Sequence, residues 1–163
     1  YGDTWSPDVD SFLKYSLGVH NRRKSRAGHS LENHLEWIFL ENNLQYERGA
    51  TTENRARPDF LFPNSASYRN PEFPDSELMM LGAKTSCKDR WRQILNEAKR
   101  IKTKHLLTLQ LGLSQDQLHE MSDASVQLVI PSPLQAWYPA GSTENLYEFI
   151  NKLSRKHNST FLN

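Results

Sequence analysis

The apolar positions of this chain follow two periods in turn, and the switches between them mark its elements. Leu31, Leu35, Ile38 and Phe39, with Trp37 flanking, recur at helical spacing and predict an amphipathic helix over 31–42. Ser30 stands where an N-cap belongs, with Asn33 in place of the Glu or Gln of a capping box. Upstream, residues 10–17 read as a short helix stopped by Gly18, followed by a basic loop from Val19 to Gly28. Residues 44–49 read as a strand with Leu44, Tyr46 and Arg48 on one side, and 58–62 as a second strand. A loop rich in Pro, Asn and Ser fills 64–76. Residues 77–85 are almost continuously apolar, as in a strand buried on both faces.

The second half alternates more regularly. Trp91, Ile94, Ala98 and Ile101 form a stripe that predicts a helix over 89–101. A strand over 105–111, a short helix from Ser114 to Met121 and a buried strand over 126–130 follow. Pro131, Pro133 and Pro139 mark an irregular connection, and Leu146, Phe149, Ile150 and Leu153 face inward from a last helix over 145–157. Three successive strands, then helices and strands in alternation, predict an α/β fold: a central mixed β-sheet flanked by helices.

With 163 residues the chain suffices for one domain with a real core, taken as 1–163. Its 37% hydrophobic and 24% charged content is that of an ordinary globular protein. No apolar run approaches the roughly 20 residues of a membrane-spanning helix, and no signal-peptide pattern opens the chain. It begins at Tyr1 without a methionine, as a piece of a longer protein would. The single cysteine, Cys87, excludes an internal disulfide and fits a reducing compartment.

A formal net charge of +1 is too small to mark a nucleic-acid binder, but the charges are unevenly spread. Arg22, Arg23, Lys24 and Arg26 lie together. Lys84, Lys88, Arg90, Arg92, Lys99, Arg100, Lys102 and Lys104 face only Asp89 and Glu97 over 84–104. One cationic face is expected.

The chemistry concentrates between Arg57 and Glu97. Pro58-Asp59 opens one apolar strand and Lys84 closes the next, so antiparallel pairing would bring the two charges to one end of a sheet. Phosphodiester hydrolysis needs hard oxygen ligands for a metal ion, an activated water and a positive charge for the developing anion. Asp59 can supply the first and Lys84 the last. The acid that nucleases often carry two residues before the lysine is replaced here by Gly82, and Glu97 offers a substitute. Glu32 or Glu36 could complete the set, Glu32 being preferred because Glu36 flanks Trp37 on a more exposed arc. Each residue alone also suits a structural role, as turn residue, strand end or surface ion-pair partner.

Directly after the lysine, Lys88-Asp89-Arg90 combines donors suited to guanine O6 and N7 with an acceptor suited to cytosine N4. Asp89 would equally serve as a helix N-cap. Together, Arg57-Pro58-Asp59-Phe60-Leu61-Phe62, Gly82-Ala83-Lys84-Thr85-Ser86-Cys87-Lys88-Asp89-Arg90-Trp91-Arg92 and Glu97 resemble the carboxy-terminal catalytic domain of the EcoRII restriction endonucleases, over essentially the whole chain. The resemblance implies a PD-(D/E)XK restriction-endonuclease-like fold whose second acid has moved to the following helix. It implies Mg²⁺-dependent cleavage of double-stranded DNA at CC(A/T)GG by a homodimer, leaving 5′-phosphate ends, within a bacterial restriction-modification system and hence in the cytoplasm. It assigns Asp59, Lys84 and Glu97 as the catalytic set, with Glu32 as a further acid. Asp59 and Glu97 would hold the metal, and Lys88, Asp89 and Arg90, with Arg92, would contact the DNA. Relatives flip the central bases out of the stack, for which 22–29 and Trp37 are candidates, although Trp37 also reads as plain core. The amino-terminal effector domain of the full-length relative is expected to be missing from this chain.

Two other functions fit parts of the pattern. Tyr68, in the loop between the two key strands, could act as a tyrosine nucleophile in DNA strand transfer with Arg90 steadying the phosphate. A DNA-binding module without nuclease activity would keep the basic segment and need no metal.

Overall fold

Near-continuous burial along three neighbouring strands sets the architecture. The computed structural model of the chain describes residues 24–160; the helix expected over 10–17 and the basic residues Arg22 and Arg23 lie outside the described residues. Helix α1 (Lys24–Glu41) leads to β1 (Glu47–Arg48), β2 (Phe60–Phe62), a short α2 (Ser65–Arg69) and β3 (Met79–Lys84). A 3-10 helix over Lys88–Asn96 precedes β4 (Lys104–Thr108), then come α3 (Gln115–Asp123), β5 (Val126–Val129), a 3-10 helix over Ser132–Trp137, β6 (Thr143–Glu144) and α4 (Leu146–Thr160).

The strands form one six-stranded sheet in sequence order. β1, β2 and β3 pair antiparallel, and β3, β4, β5 and β6 pair parallel, so the expected mixed sheet is what forms. Register puts Phe60, Leu81, His105 and Gln127 on one face. There Phe39 of α1 packs edge-on against Phe60 (5.1 Å between ring centroids) and Phe62 (5.3 Å), and Phe149 of α4 closes on Phe62 and His105. The opposite face carries Met80, Gly82, Lys84, Leu106 and Thr108. Ile94, from the 3-10 helix, covers Gly82. Burying aromatic and branched side chains on both faces supplies the main stabilisation, at roughly 1.5–3 kcal/mol for each large apolar side chain.

Several boundaries differ from the periodicity. α1 already runs from Lys24, so 24–28 are helical rather than loop, and Ser30 and Asn33 lie inside the helix instead of capping it. Trp37 is 43% exposed and is not core. The loop over 64–76 contains α2, capped by the Asn64 side chain, which accepts the Ser67 amide. The Ser114 cap forms as expected, on Gln117. The two-residue edge strand β6 carries no periodic signal.

The largest departure is the helix expected over 89–101. Trp91, Ile94, Ala98 and Ile101 are all buried, but the backbone is a 3-10 helix to Asn96, then Glu97 in extended conformation and Ala98 at φ +48°. Distant side chains take the backbone groups that a helix would pair internally. The amides of Ala98, Lys99 and Arg100 donate to Thr52 Oγ1 (3.1 Å), Glu53 Oε2 (3.3 Å) and the Tyr68 hydroxyl (3.1 Å). Lys104 Nζ donates to the carbonyls of Ala98 and Ile101, each at 2.6 Å. Tertiary partners thus override a local helical preference.

Candidate active site

The antiparallel pairing of β2 with β3 sets Phe60 opposite Leu81, which brings Asp59 level with the end of β3. The Asp59 backbone is tied to β1 by the Gly49 amide, which donates to its carbonyl at 3.1 Å. Asp59 Oδ2 accepts the Ala83 amide at 2.7 Å and stands 3.8 Å from Lys84 Nζ. Both side chains keep a little solvent access, 20% for Asp59 and 28% for Lys84. That is what a site open to substrate and metal needs.

Glu97 arrives from the other side, on the extended residue that follows the 3-10 helix. It is not on a helix, which corrects the expected placement. Its carboxyl is pushed up to about 7, first by burial and then by the negative charge of Asp59, with Lys84 and Lys104 pulling the other way. Asp59 is also raised: burial dominates, the Ala83 amide and Lys84 oppose it, and the Glu32 carboxyl adds to the rise. Two acids, each raised by burial and by a neighbouring carboxylate (Asp59 for Glu97, Glu32 for Asp59), form a pocket that attracts a cation.

Glu32 therefore stands beside Asp59. It is held there by Arg48, whose guanidinium spans Glu32 Oε2 (2.9 Å), Glu36 Oε2 (3.0 Å) and Asn33 Oδ1 (2.7 Å). Glu36 also accepts the Tyr46 hydroxyl at 2.8 Å and belongs to this support.

The donor set suits a hard divalent ion. Asp59 and Glu97 offer carboxylate oxygens in a half-buried setting, and Mg²⁺ is commonly held by one or two carboxylates with water and phosphate oxygens completing its shell. Among the described residues, no three His, Cys, Asp or Glu side chains converge tightly enough to hold an ion by themselves. Glu32, engaged by Arg48, fits a supporting role better than that of a third ligand.

The expected DNA contacts divide. Lys88 and Arg90 are exposed at the start of the 3-10 helix, next to Lys84 in the chain, and Asp89 lies in the same turn. Arg92 pairs with Glu120 and covers the Trp91 ring, so it is engaged within the fold. The expected cationic face is thinner than its charge count. Lys104 is 5% exposed. Arg100 is spent on the carbonyls of Tyr68, Asn70 and Phe73 and on Asp75.

Tyr68 is no nucleophile. It is 4% exposed, and its hydroxyl donates to the Glu53 carboxylate at 2.6 Å and 2.7 Å from the two oxygens. Its pKa is pushed up to about 12, first by burial and then by the bond to Glu53. The phenol braces the loop behind Glu97. Arg48, Thr52, Glu53 and Lys104 were absent from the sequence-level site. Among them only the lone cation Arg48, in a strand facing a helix that carries Glu32 and Glu36, left a readable hint.

Residues 2–152 match the family model described as EcoRII C terminal. The chain is 53% identical over 132 residues to the type II restriction enzyme EcoRII of Escherichia coli. That match covers 80% of this chain and 33% of the relative, so the chain spans about a third of the relative's length. Two solved structures share the fold. Metal-depleted Ecl18kI in complex with uncleaved DNA superposes with a TM-score of 0.73 at 19% identity, over 88% of this chain and 49% of that one. A PspGI–substrate DNA complex superposes with a TM-score of 0.67 at 12% identity, over 90% and 67% of the two chains. At these identities the likeness is one of fold, and the fold is the PD-(D/E)XK type that the family resemblance implied. Since the family match runs through β1 to β6 and takes in Asp59, Lys84 and Glu97, the chain belongs to the EcoRII C-terminal family.

Proposed function

We propose that this chain is the catalytic domain of a site-specific endonuclease that hydrolyses phosphodiester bonds in double-stranded DNA with Mg²⁺. The observation that carries the reading is the meeting of Asp59, Lys84 and Glu97 at one sheet end, with both carboxyls raised in proton affinity by burial and by a neighbouring carboxylate, Asp59 for Glu97 and Glu32 for Asp59. When bound, the ion would neutralise the carboxylates and the developing phosphate charge. Asp59, fixed by the Ala83 amide, and Glu97, fixed by its cradle, would hold it. Lys84 would place a positive charge near the attacking water and the five-coordinate phosphorus on which negative charge gathers. The new bond is from water oxygen to phosphorus, and the bond to the 3′-oxygen breaks, leaving a 5′-phosphate.

The site proposed is CC(A/T)GG, on the strength of the family and of the turn after Lys84 that carries exposed Lys88 and Arg90. Guanine O6 and N7 would accept from Lys88 and Arg90, and cytosine N4 would donate to Asp89. A nearly two-fold symmetric site calls for a two-fold symmetric reader, so the working form proposed is a homodimer within a bacterial restriction system. Control by an amino-terminal effector domain is proposed for the longer protein, since the chain spans a third of its relative.

The test is cleavage of a plasmid with mapped CC(A/T)GG sites. Cuts confined to those sites, dependent on Mg²⁺ and abolished by Asp59→Ala are expected. Cleavage that survives Asp59→Ala would overturn the metal-site assignment, and binding without any cleavage would leave a DNA-binding module.

A further inference from the structure

The turn that carries Lys88, Asp89 and Arg90 is not capped by the residue that precedes it. A short helix leaves its first amides without internal partners, and a neighbouring Ser, Thr or Asp usually accepts them. Here Cys87 occupies the N-cap position and makes no side-chain cap bond. The acceptor comes instead from beyond the end of β4. Gln110 Oε1 receives the Cys87 amide at 3.0 Å and the Lys88 amide at 3.1 Å, with the Cys87 thiol at 3.6 Å.

Gln110 is itself fixed at every polar atom. Its amide donates to Thr108 Oγ1 (3.2 Å), its Nε2 to the Gly112 carbonyl (3.1 Å), and its carbonyl accepts the hydroxyl of buried Tyr138 at 2.6 Å. One side chain therefore ties the first residues of the turn to β4, the strand that pairs with β3 and sets Thr108 opposite Lys84. Below the turn, the buried rings and chains of Trp91 and Ile94 anchor the rest of the 3-10 helix.

We infer that Gln110 is a specificity-positioning residue: as a remote cap supplied by β4, it sets the position of the Lys88-Asp89-Arg90 turn relative to Lys84. Gln110 need not touch DNA to do this. It holds two backbone amides whose placement decides where the flanking side chains project, and a displacement of a fraction of an ångström weakens base-edge hydrogen bonds more than phosphate contacts. The inference rests on the proposal that this turn reads bases.

The test uses the whole 163-residue chain and three variants, Gln110→Leu, Gln110→Glu and Tyr138→Phe. Each is assayed on a CC(A/T)GG duplex and on duplexes with one C·G pair exchanged, for binding in EDTA, for kcat and KM with Mg²⁺, and for thermal melting. Gln110→Leu removes the acceptor. It is expected to raise KM and shrink the cognate-to-exchanged ratio by about tenfold, within the range one base contact commands, while kcat stays within about threefold. Gln110→Glu keeps an oxygen facing both amides but loses the donor to the Gly112 carbonyl, and is expected to restore part of the ratio. Tyr138→Phe frees the Gln110 carbonyl and is expected to cause a smaller loss in the same direction.

Arg90→Ala, run alongside, separates the two levels. If Arg90→Ala leaves discrimination intact, the base-reading proposal falls. If Arg90→Ala lowers it while a folded Gln110→Leu does not, the inference about Gln110 alone is overturned. Equal losses for Gln110→Leu and Gln110→Glu would also overturn it. Should Gln110→Leu fail to fold, the ratio measured with Tyr138→Phe decides, an unchanged value counting against the inference.

Discussion

Asp59 and Glu97 reach the same site by opposite routes. Asp59 is placed by regular structure: strand pairing puts it at the end of β3, and one backbone amide fixes its carboxylate. Glu97 sits on an extended residue outside any strand or helix, just before a left-handed Ala98, and a cradle of side chains from elsewhere holds the loop behind it. One acid is positioned by the fold's backbone, the other by its polar side chains. A site built this way has one rigid half and one half that single substitutions can loosen.

Gly82 explains why the second acid is in the looser half. A Cβ at Gly82 would meet Ile94 Cγ2 at 3.2 Å and Leu106 Cδ1 at 3.4 Å. The 3-10 helix that carries the proposed reading turn packs straight onto this strand position, which leaves no room for a carboxylate. Close packing of that helix and a metal ligand at position 82 exclude each other, and the structure has the packing.

The comparison breaks most completely when either acid is removed. Asp59→Ala and Glu97→Gln should each lower Mg²⁺-dependent cleavage by at least about 10²–10³-fold, the scale for losing a group that stabilises transition-state charge. Thermal melting in EDTA should show both variants folded, and Glu97→Gln as stable as the parent or more so, because a repelling buried carboxyl has gone. A clear loss of stability would contradict the repulsion of Glu97 by Asp59.

Next in size is the cradle. Lys104→Met removes the donor to the Ala98 and Ile101 carbonyls and should cost about 2–4 kcal/mol, since two buried carbonyls lose their partner. Cleavage should fall well beyond what stability explains, with Glu97 misplaced and Asp59 intact. Thr52→Val removes the acceptor for the Ala98 amide and the long bond from the Thr52 hydroxyl to the Ala56 carbonyl (3.3 Å), and should cost about 1–2 kcal/mol. Chemical denaturation and single-turnover cleavage measure both. If the cradle variants lose stability yet keep full cleavage rates, the loop does not position Glu97.

Moving the acid back sharpens the point. Gly82→Asp combined with Glu97→Gln should not recover cleavage, and Gly82→Ala alone should cost about 1 kcal/mol through overpacking against Ile94. Recovery of Mg²⁺-dependent cutting by the double variant would show that the 3-10 helix can yield.

How far the sequence could be read follows the same division. Asp59 and Lys84 were legible because strand periodicity and antiparallel pairing are local rules, and the central strand and the mixed sheet followed from them. Glu97 was found as a residue but placed on a helix, since Trp91, Ile94, Ala98 and Ile101 keep helical spacing while their backbone does not. The groups that override the helix, Thr52, Glu53, Tyr68 and Lys104, are brought together only by the tertiary fold. Tyr68 and Lys104 were misjudged for one reason: loop aromatics and lysines are usually exposed, and here both are buried in polar bracing.

The smallest expected effect is a slope with pH. Glu97 has a folded pKa of about 7 against an ordinary 4.5, so between these values the native state holds a proton that the unfolded chain has released. The stability this group contributes is full below about pH 4.5 and is lost as the pH rises through about 7. Without divalent ions, melting temperatures should therefore fall more steeply over that window for the parent than for Glu97→Gln, and added Mg²⁺ should flatten the parent's curve by stabilising the ionised pair. Part of the shift is screened by solvent, so a difference of a few degrees is the scale to look for. Asp59 is raised too, which makes the contrast with Glu97→Gln more informative than the parent curve alone. A slope that survives the substitution unchanged would assign it to Asp59, the half of the site held by the backbone.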